Sequence, residues 1–386
     1  MKKSITNVFL LIAVLTPIVI SCHKTQEEDI EQLKKEALNN YAGLVLANYE
    51  DCYQSVVDYK QSVETFLQNP TASGLEQCKS AWLFARKPYG QSEAFRFYGG
   101  PIDNGQGPEG LINAWPMDEV YVDYVVGNPN AGVINNPGQY PDINKNLLVG
   151  LNELLSEKSI FTGYHTAEFL LWGQDLSASG PGNRPYTDYV TDGSGTAANQ
   201  DRRGQYLTVV NELLLEHLNQ VLTQWTDTGD YRQKFLNTYE TKKSLGLIFS
   251  GLVEFTSGEI AGERMFVAID LQDQEHEHSC FSDNTINDLK ANLEGVKNVY
   301  FGKYKRIDGS EHSGRSFADI LIKIDSDLAL EVLNAIDLAE LKLSLIPAPF
   351  DQTILNNTTP VQEAIDALNA LSDQLYLAGK ALGGEF

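Results

Sequence analysis

The sequence predicts an all-α protein made of two helical-bundle domains related by an internal pseudo-repeat. Three observations carry that expectation. Apolar residues recur at spacings of three and four over long stretches of both halves, and no extended alternating run appears. A stretch rich in Gly, Ser, Thr and Asn, residues 177–199, separates two halves of similar layout. Each half runs as an opening bundle helix, a second helix rich in aromatics and then a His-bearing segment, around His165 in the first and His278 in the second. The likeness is one of layout rather than identity. At 386 residues the chain accommodates two domains of ordinary size, which we place at residues 31–200 and 201–386.

The N-terminus reads as an export and anchoring signal. Lys2 and Lys3 precede an apolar run over residues 8–20, followed by Ser21 and Cys22. A basic start, an apolar stretch of this length and a small residue before the cut describe a signal peptide over residues 1–21. Its end resembles the lipobox of bacterial lipoproteins, in which the Cys becomes the lipidated first residue, so Cys22 is the expected membrane anchor. Pro17 and the shortness of the run disfavour a spanning helix. Residues 22–30 then form an acidic, lipidated tether, similar to the stretch that sends some Gram-negative lipoproteins to the cell surface. His23 follows the anchor where an inner-membrane retention signal has Asp. The expected location is the outer membrane, facing the periplasm or the outside.

Charge narrows the partners. With 52 acids against 29 Lys plus Arg the net charge is −23, and the chain lacks the basic face that phosphate binding needs. Nucleic acid is excluded as a partner on that ground. An acidic surface favours solubility and concentrates cations.

The first long helix is read from about Glu28 to Leu67, with Val45, Tyr49, Cys52, Val56, Tyr59, Val63 and Phe66 as its buried stripe. Asn69-Pro70 ends it, and a second helix starting at Thr71 or Ser73 carries Trp82, Phe84 and Arg86 up to Pro88. Antiparallel packing of these two helices sets Cys78 and Cys52 out of register by ~15 Å at about 1.5 Å per residue, so no bridge is expected. Cys52, Cys78 and Cys280 are read as free, buried thiols. Residues 99–140 are irregular, with Trp115-Pro116 in their middle, and long loops of this kind inside a domain are functional or lid-like. Helical pattern resumes at residues 144–155 and leads into a central motif.

In the second half, Leu207, Val210, Leu214, Leu218, Val221 and Trp225 mark an opening bundle helix. The next helix has Leu245, Ile248, Leu252 and Phe255 on a line whose continuation at helical spacing is Glu259, Gly262, Phe266 and Ile269. Glu259 therefore lands on the core-facing side, where it either pairs with a buried Arg such as Arg264 or serves a site, and Gly262 admits a close neighbour. An acidic, His-bearing stretch at residues 272–282 follows. The last clear stripe is Val361, Ala364, Leu368, Leu371 and Leu375.

The chemistry concentrates at Gly163-Tyr164-His165-Thr166-Ala167-Glu168, a G-x-H-x-x-E pattern followed at once by Phe169-Leu170-Leu171-Trp172. A helix here places His165, Glu168, Phe169 and Trp172 on one side and is apolar over most of its circumference, hence buried. A buried imidazole and carboxylate cost several kcal/mol unless paired or metal-bound. One reading is a satisfied ion pair. The sharper one is a divalent metal, iron or zinc, held by both side chains from one helical turn. A catalytic zinc needs three protein ligands, and this motif supplies two. A third has to come from Glu259, Glu263, His276, His278 or Asp283. His217 reads as a boundary residue and His312 as loop. Cys280 lies two residues from His278, which by itself makes no catalytic dyad.

These blocks resemble the imelysin-like proteins of bacterial envelopes. The resemblance rests on Gly163-x-His165-x-x-Glu168, on Trp82 with Arg86, on Ser92-Glu93-Ala94-Phe95-Arg96-Phe97 and on Trp115-Pro116. In the second half it rests on Glu259-x-x-Gly262-Glu263-Arg264-Met265 and on residues 277–284, EHSCFSDN. It implies two helical bundles with the motif near their interface. It also implies either a metallopeptidase or an iron-regulated envelope protein linked to iron or haem uptake, acting with other iron-uptake envelope proteins. A binder of a small ligand or metal ion fits the residues better, because the motif is a ligand short of a catalytic zinc and so apolar a helix hinders entry of a peptide. In that reading His165 and Glu168 hold the metal, and Glu259 and Glu263 add oxygens. Arg86 and Arg264 balance charge, and Trp82, His278 and Asp283 line the ligand. A structural surface lipoprotein whose motif is only an ion pair is the third reading.

Overall fold

The computed structural model describes residues 12–386, with side chains from residue 29 onward. The signal peptide, the Cys22 anchor and nearly all of the tether fall outside the described side chains. The protein is mainly α-helical, and no described helix is long and apolar enough to cross a membrane.

Helix α1 (Ile12–Gln68) and helix α2 (Ala72–Ser92) form a hairpin and pack along each other. All seven residues of the predicted α1 stripe, from Val45 to Phe66, are buried. Each large apolar side chain so removed from water contributes about 1.5–3 kcal/mol. Thr71 caps α2, its hydroxyl oxygen accepting from the Gly74 amide at 3.1 Å. Contrary to the expected stop at Pro88, α2 runs on to Ser92. Proline forfeits one backbone bond there, while the Pro88 carbonyl gains the Asn48 amide of α1 at 2.8 Å.

Residues 99–140 make short turns pinned by buried arginines rather than a loose cover. The Arg202 guanidinium donates to the backbone carbonyls of Val133, Ile134, Tyr140 and Pro141. Arg184 and Arg203 both grip the buried Asp123. Next comes helix α3 (Gly163–Trp172), in which every residue is buried, as its apolar circumference demands. Gly163 opens it at φ +85°, with Ile112 O only 2.4 Å from where a Cβ would stand, so only glycine fits.

Helix α4 (Gln200–Trp225) buries its predicted stripe and lies against α1 and α3. Helix α5 (Thr241–Val253) continues into a stretch with i→i+5 bonding, Glu254–Phe266, and then the turn Val267–Leu271. That wider winding shifts the buried face. Phe255, Ile260, Ala261, Arg264, Met265 and Ala268 point inward, and Phe266, expected in the core, is 48% exposed. A line drawn at α-helical spacing cannot follow such a turn.

Helix α6 (Thr285–Phe301) packs on α2, and Gly295 permits this approach, since a Cβ there would meet Gln91 O at 2.3 Å. A short antiparallel hairpin follows, β1 (Lys303–Lys305) with β2 (Glu311–Ser313). It corrects the strictly helical expectation and the loop reading of His312, which sits on β2. Helices α7 (Phe317–Ile324), α8 (Ser326–Ser344) and α9 (Thr359–Ala381) complete the chain, α9 packing on α8 and on the α5 segment. Buried apolar contacts run without a break from the α1–α4 helices to the later ones. Cys52, Cys78 and Cys280 are free and buried.

Candidate functional site

The motif helix α3 delivers His165 and Glu168 into the interior, and the loop before α6 delivers His278 beside them. The two imidazoles meet edge to face, with ring centroids 4.8 Å apart and planes at 73°. Each uses Nδ1 on an acid: His165 on Glu168 Oε2 at 3.0 Å, and His278 on Asp288 Oδ2 at 3.0 Å. Each leaves Nε2 buried with no hydrogen-bond partner. Two orphaned imidazole nitrogens side by side, on rings whose other nitrogens are each paired with an acid, mark a place where something binds.

The supports are unequal, and this sets the tautomers. Asp288 also takes Arg86 Nη2 at 2.9 Å, Arg86 Nε at 3.3 Å and Asn284 Nδ2 at 2.9 Å. Burial works to raise its pKa, but Arg86 and the His278 bond overrule burial and hold it below the ordinary carboxylate range. A charged Asp288 requires the hydrogen of His278 on Nδ1, so Nε2 presents a lone pair. Glu168 instead has Ser282, whose amide and hydroxyl donate to Oε1 at 2.9 and 2.7 Å. No arginine is bonded to it, and burial pushes it up to about 8. Burial, with Arg86 nearby, lowers His165 to about 3; burial and Arg264 do the same for His278. Both imidazoles are therefore neutral at pH 7, the form that ligates metals.

A second polar cluster backs the first. Arg264 Nη1 donates to Glu93 Oε2 and to Asn292 Oδ1, each at 2.8 Å, and Nη2 reaches Glu259 Oε1 at 2.7 Å. Arg86 Nη1 reaches Asn113 Oδ1 at 2.6 Å. Arg86 of α2 and Glu93, just past its end, are thus tied to Asp288 and Arg264 respectively, from the other half of the chain. A cleft of about 260 Å³, walled in part by Arg86, Lys87, Asn284 and Asp288, opens on the outer side of the Arg86–Asp288 pair. A larger groove of about 400 Å³ at the C-terminal end of α3, beside Trp172 and Arg184, does not include His165 in its walls.

The proposed ligand set is regrouped accordingly. His165, Glu168, His278, Arg86 and Arg264 come together. Glu259 is committed to Arg264, a pairing five residues apart that the i→i+5 winding brings onto one face. Glu263 faces solvent, so it cannot supply an oxygen. Trp82 is a core residue whose indole donates to the Tyr164 carbonyl at 3.1 Å. Asp283 turns to Glu277 and Asp351 instead. His276 lies on the half-buried turn Gln274–His276. Burial raises the Cys280 thiol well above its ordinary range, so it is not a poised nucleophile.

A metal ion fits this pair in one respect and not in another. A ligating histidine characteristically gives its second nitrogen to a carboxylate, as both do here. Yet among the described residues neither imidazole belongs to a group of three converging acid, His or Cys ligands, so a three-ligand hydrolytic zinc centre is not assembled. Asp288, Asn292 and Ser282 are the partners that the sequence reading missed. Asn284, Asp288 and Asn292 recur every four residues beside the apolar line Leu289, Leu293 and Val296, which is the available signal for a buried polar edge.

Comparison with known proteins bears on the family and the fold. The family model described as imelysin matches residues 45–378. The chain is 26% identical over 344 residues to iron-regulated protein A of Synechococcus elongatus, covering 86% of this chain and 82% of that one. A crystal structure of an iron-regulated protein A precursor from Parabacteroides distasonis aligns with TM-score 0.70 at 20% identity, over 91% of this chain and 95% of that one. An imelysin-like protein from Psychrobacter arcticum aligns with TM-score 0.62 at 14% identity, over 89% and 93%.

Proposed function

The chain belongs to the imelysin family, and on that premise we propose that it is a cell-envelope lipoprotein that binds a metal ion between His165 and His278 and serves iron uptake. The observation that carries this reading is the pair of buried, unpartnered Nε2 atoms. His278 Nε2 is ready as a ligand, and His165 Nε2 becomes one when its own proton leaves to solvent and the Glu168 proton passes to Nδ1, which then donates to the Glu168 carboxylate. The remaining coordination positions belong to water or to small exogenous donors, which suits a carrier that must also release its ion. Imidazole donors suit iron and zinc alike; the sequence likeness to a protein named for iron regulation favours iron.

Ring spacing favours a bare ion over haem held between the two histidines. Two metal–nitrogen bonds of about 2 Å each, plus half a ring on either side, require centroids about 6 Å apart, against 4.8 Å here. A pseudo-repeat of two bundles accords with the division of labour, since each half contributes one imidazole and one guanidinium to the cluster. Lipidation at Cys22 would hold the protein at the outer membrane, within reach of other iron-uptake proteins.

The deciding experiment is elemental analysis of the soluble chain from Lys24 onward, purified without chelator, beside His165→Ala and His278→Ala. Iron or zinc present in the wild type and lost in both variants supports the reading. Absence of metal in all three, even after loading, rules it out. Proteolysis that disappears in His165→Ala would replace the carrier reading with the peptidase one.

A further inference from the structure

We propose that Glu277, Asp283 and Asp351 form a second cation site, suited to calcium, which ties the His278-bearing loop to the helix Phe350–Asn356. One carboxylate oxygen from each residue lies within 4.8 Å of the others. Glu277 and Asp351 are almost wholly enclosed, at 0% and 1% exposure, and Asp283 is half-buried.

The independent observation is what these acids lack. Both Glu277 oxygens, Asp351 Oδ1 and Asp283 Oδ1 are buried without a hydrogen-bond partner. The Thr285 hydroxyl stands near Glu277 but outside hydrogen-bonding geometry. Three other enclosed acids of this chain hold a guanidinium, Asp123 with Arg184 and Arg203, Glu93 with Arg264 and Asp288 with Arg86, and Glu168, which holds none, takes two hydrogen bonds from Ser282. Glu277 is as deep as any of them, is directed at two more carboxylates, and has no such partner among the described residues. Burying a bare carboxylate against like charges is strongly unfavourable unless a cation joins them.

The donor set selects the ion. Three carboxylates with no imidazole or thiol make a hard, all-oxygen site. Calcium–oxygen distances of about 2.3–2.6 Å let ligands stand up to about 5 Å apart across the ion, and calcium tolerates irregular geometry completed by water and carbonyls. Magnesium demands a tighter octahedron.

Position gives the site its role. Glu277 precedes His278, and Asp283 follows Ser282, which donates twice to Glu168. A cation here clamps both ends of the segment that presents His278 and Ser282 to the imidazole pair. It is a site distinct from that pair and does not depend on metal being bound there.

The test titrates calcium chloride by calorimetry into the mature chain stripped with EGTA, comparing wild type, Glu277→Gln, Asp351→Asn and His165→Ala, with circular dichroism on each. We expect about one equivalent bound and a raised melting temperature in wild type and His165→Ala, and loss of both in the two acid variants with helix content kept. No binding by wild type up to about 1 mM calcium overturns the proposal, as does unchanged binding by Glu277→Gln. Should the buried variants fail to fold, the half-exposed Asp283→Asn decides: full wild-type affinity there also overturns it.

Discussion

His278 Nδ1 and Asp288 Oδ2 stand 3.0 Å apart, and this bond turns a loop histidine into half of a two-imidazole site. Asp288 is held in turn by Arg86 from α2, so a first-half guanidinium fixes a second-half acid, which fixes a second-half imidazole against His165. The orientation of His278 is therefore set by a chain of charge-assisted bonds crossing the middle of the molecule.

Asp288→Asn tests that chain. Outer-shell partners of this kind are worth roughly 10–100-fold in metal affinity, and a loss of that size is expected in zinc or iron titrations. The amide keeps the shape but no longer fixes the His278 tautomer. Affinity within twofold of wild type would separate Asp288 from the metal.

Stability against pH isolates Glu168. Its folded pKa of about 8 lies above the ordinary 4.5, so the folded state holds the proton more firmly than the unfolded one. The resulting contribution is complete below about pH 4.5 and is lost as pH rises through 8, on the order of a few kcal/mol in all. Glu168→Gln cannot ionise and should gain on the metal-free wild type over that window in denaturant titrations. The two histidines act oppositely, since their pKa values of about 3 lie below 6.5. Their contribution is present above 6.5 and fades as pH falls toward 3. A wild-type curve parallel to that of Glu168→Gln between pH 5 and 8 would contradict the assignment.

How much of this could be read from the sequence follows the physics of each segment. The α1 stripe from Val45 to Phe66 and the all-round apolar α3 announce burial directly, because helical periodicity holds along both. His165, Glu168 and Arg86 were legible as polar groups on apolar elements. Asp288 was not, because a polar line at spacing four also describes a solvated helix face, and only packing against α2 makes it interior. Phe266 was misplaced for another reason, since period 3.6 does not survive the i→i+5 turn at Glu254–Phe266, and Glu263 was named for its carboxylate alone, which does not say which way it faces. The β1–β2 hairpin carries an Asp308-Gly309 turn signal, but its three-residue strands are too short to show alternation.

Glu259 and Glu263, two acids of the Glu254–Phe266 segment, should behave differently despite their nearness in sequence. Glu263 is exposed, and Glu263→Ala should leave melting within about 0.5 kcal/mol of wild type and metal content unchanged. Glu259 serves the buried Arg264, which Glu93 also holds, so Glu259→Ala should be tolerated only in part, at about 1–3 kcal/mol. Metal content tracking Glu263 rather than His278 would restore the original ligand set.

Gly163→Ala makes the sharpest single test of how the motif is built. At φ +85° an alanine is strained, and its Cβ would meet the Ile112 carbonyl oxygen at 2.4 Å. The two effects together should cost about 2–4 kcal/mol, since backbone strain alone is worth about 1–3 kcal/mol and the clash must be relieved by moving α3 or its neighbour. Any such shift displaces His165 and Glu168, which follow within the next two turns, whereas Asp288 and Arg86 sit on other helices. Metal binding should therefore fall further than global stability explains, measured by titration at a temperature where circular dichroism shows the variant still folded. Wild-type affinity in a folded Gly163→Ala protein would mean that the glycine serves packing alone and that the position of α3 does not govern the site.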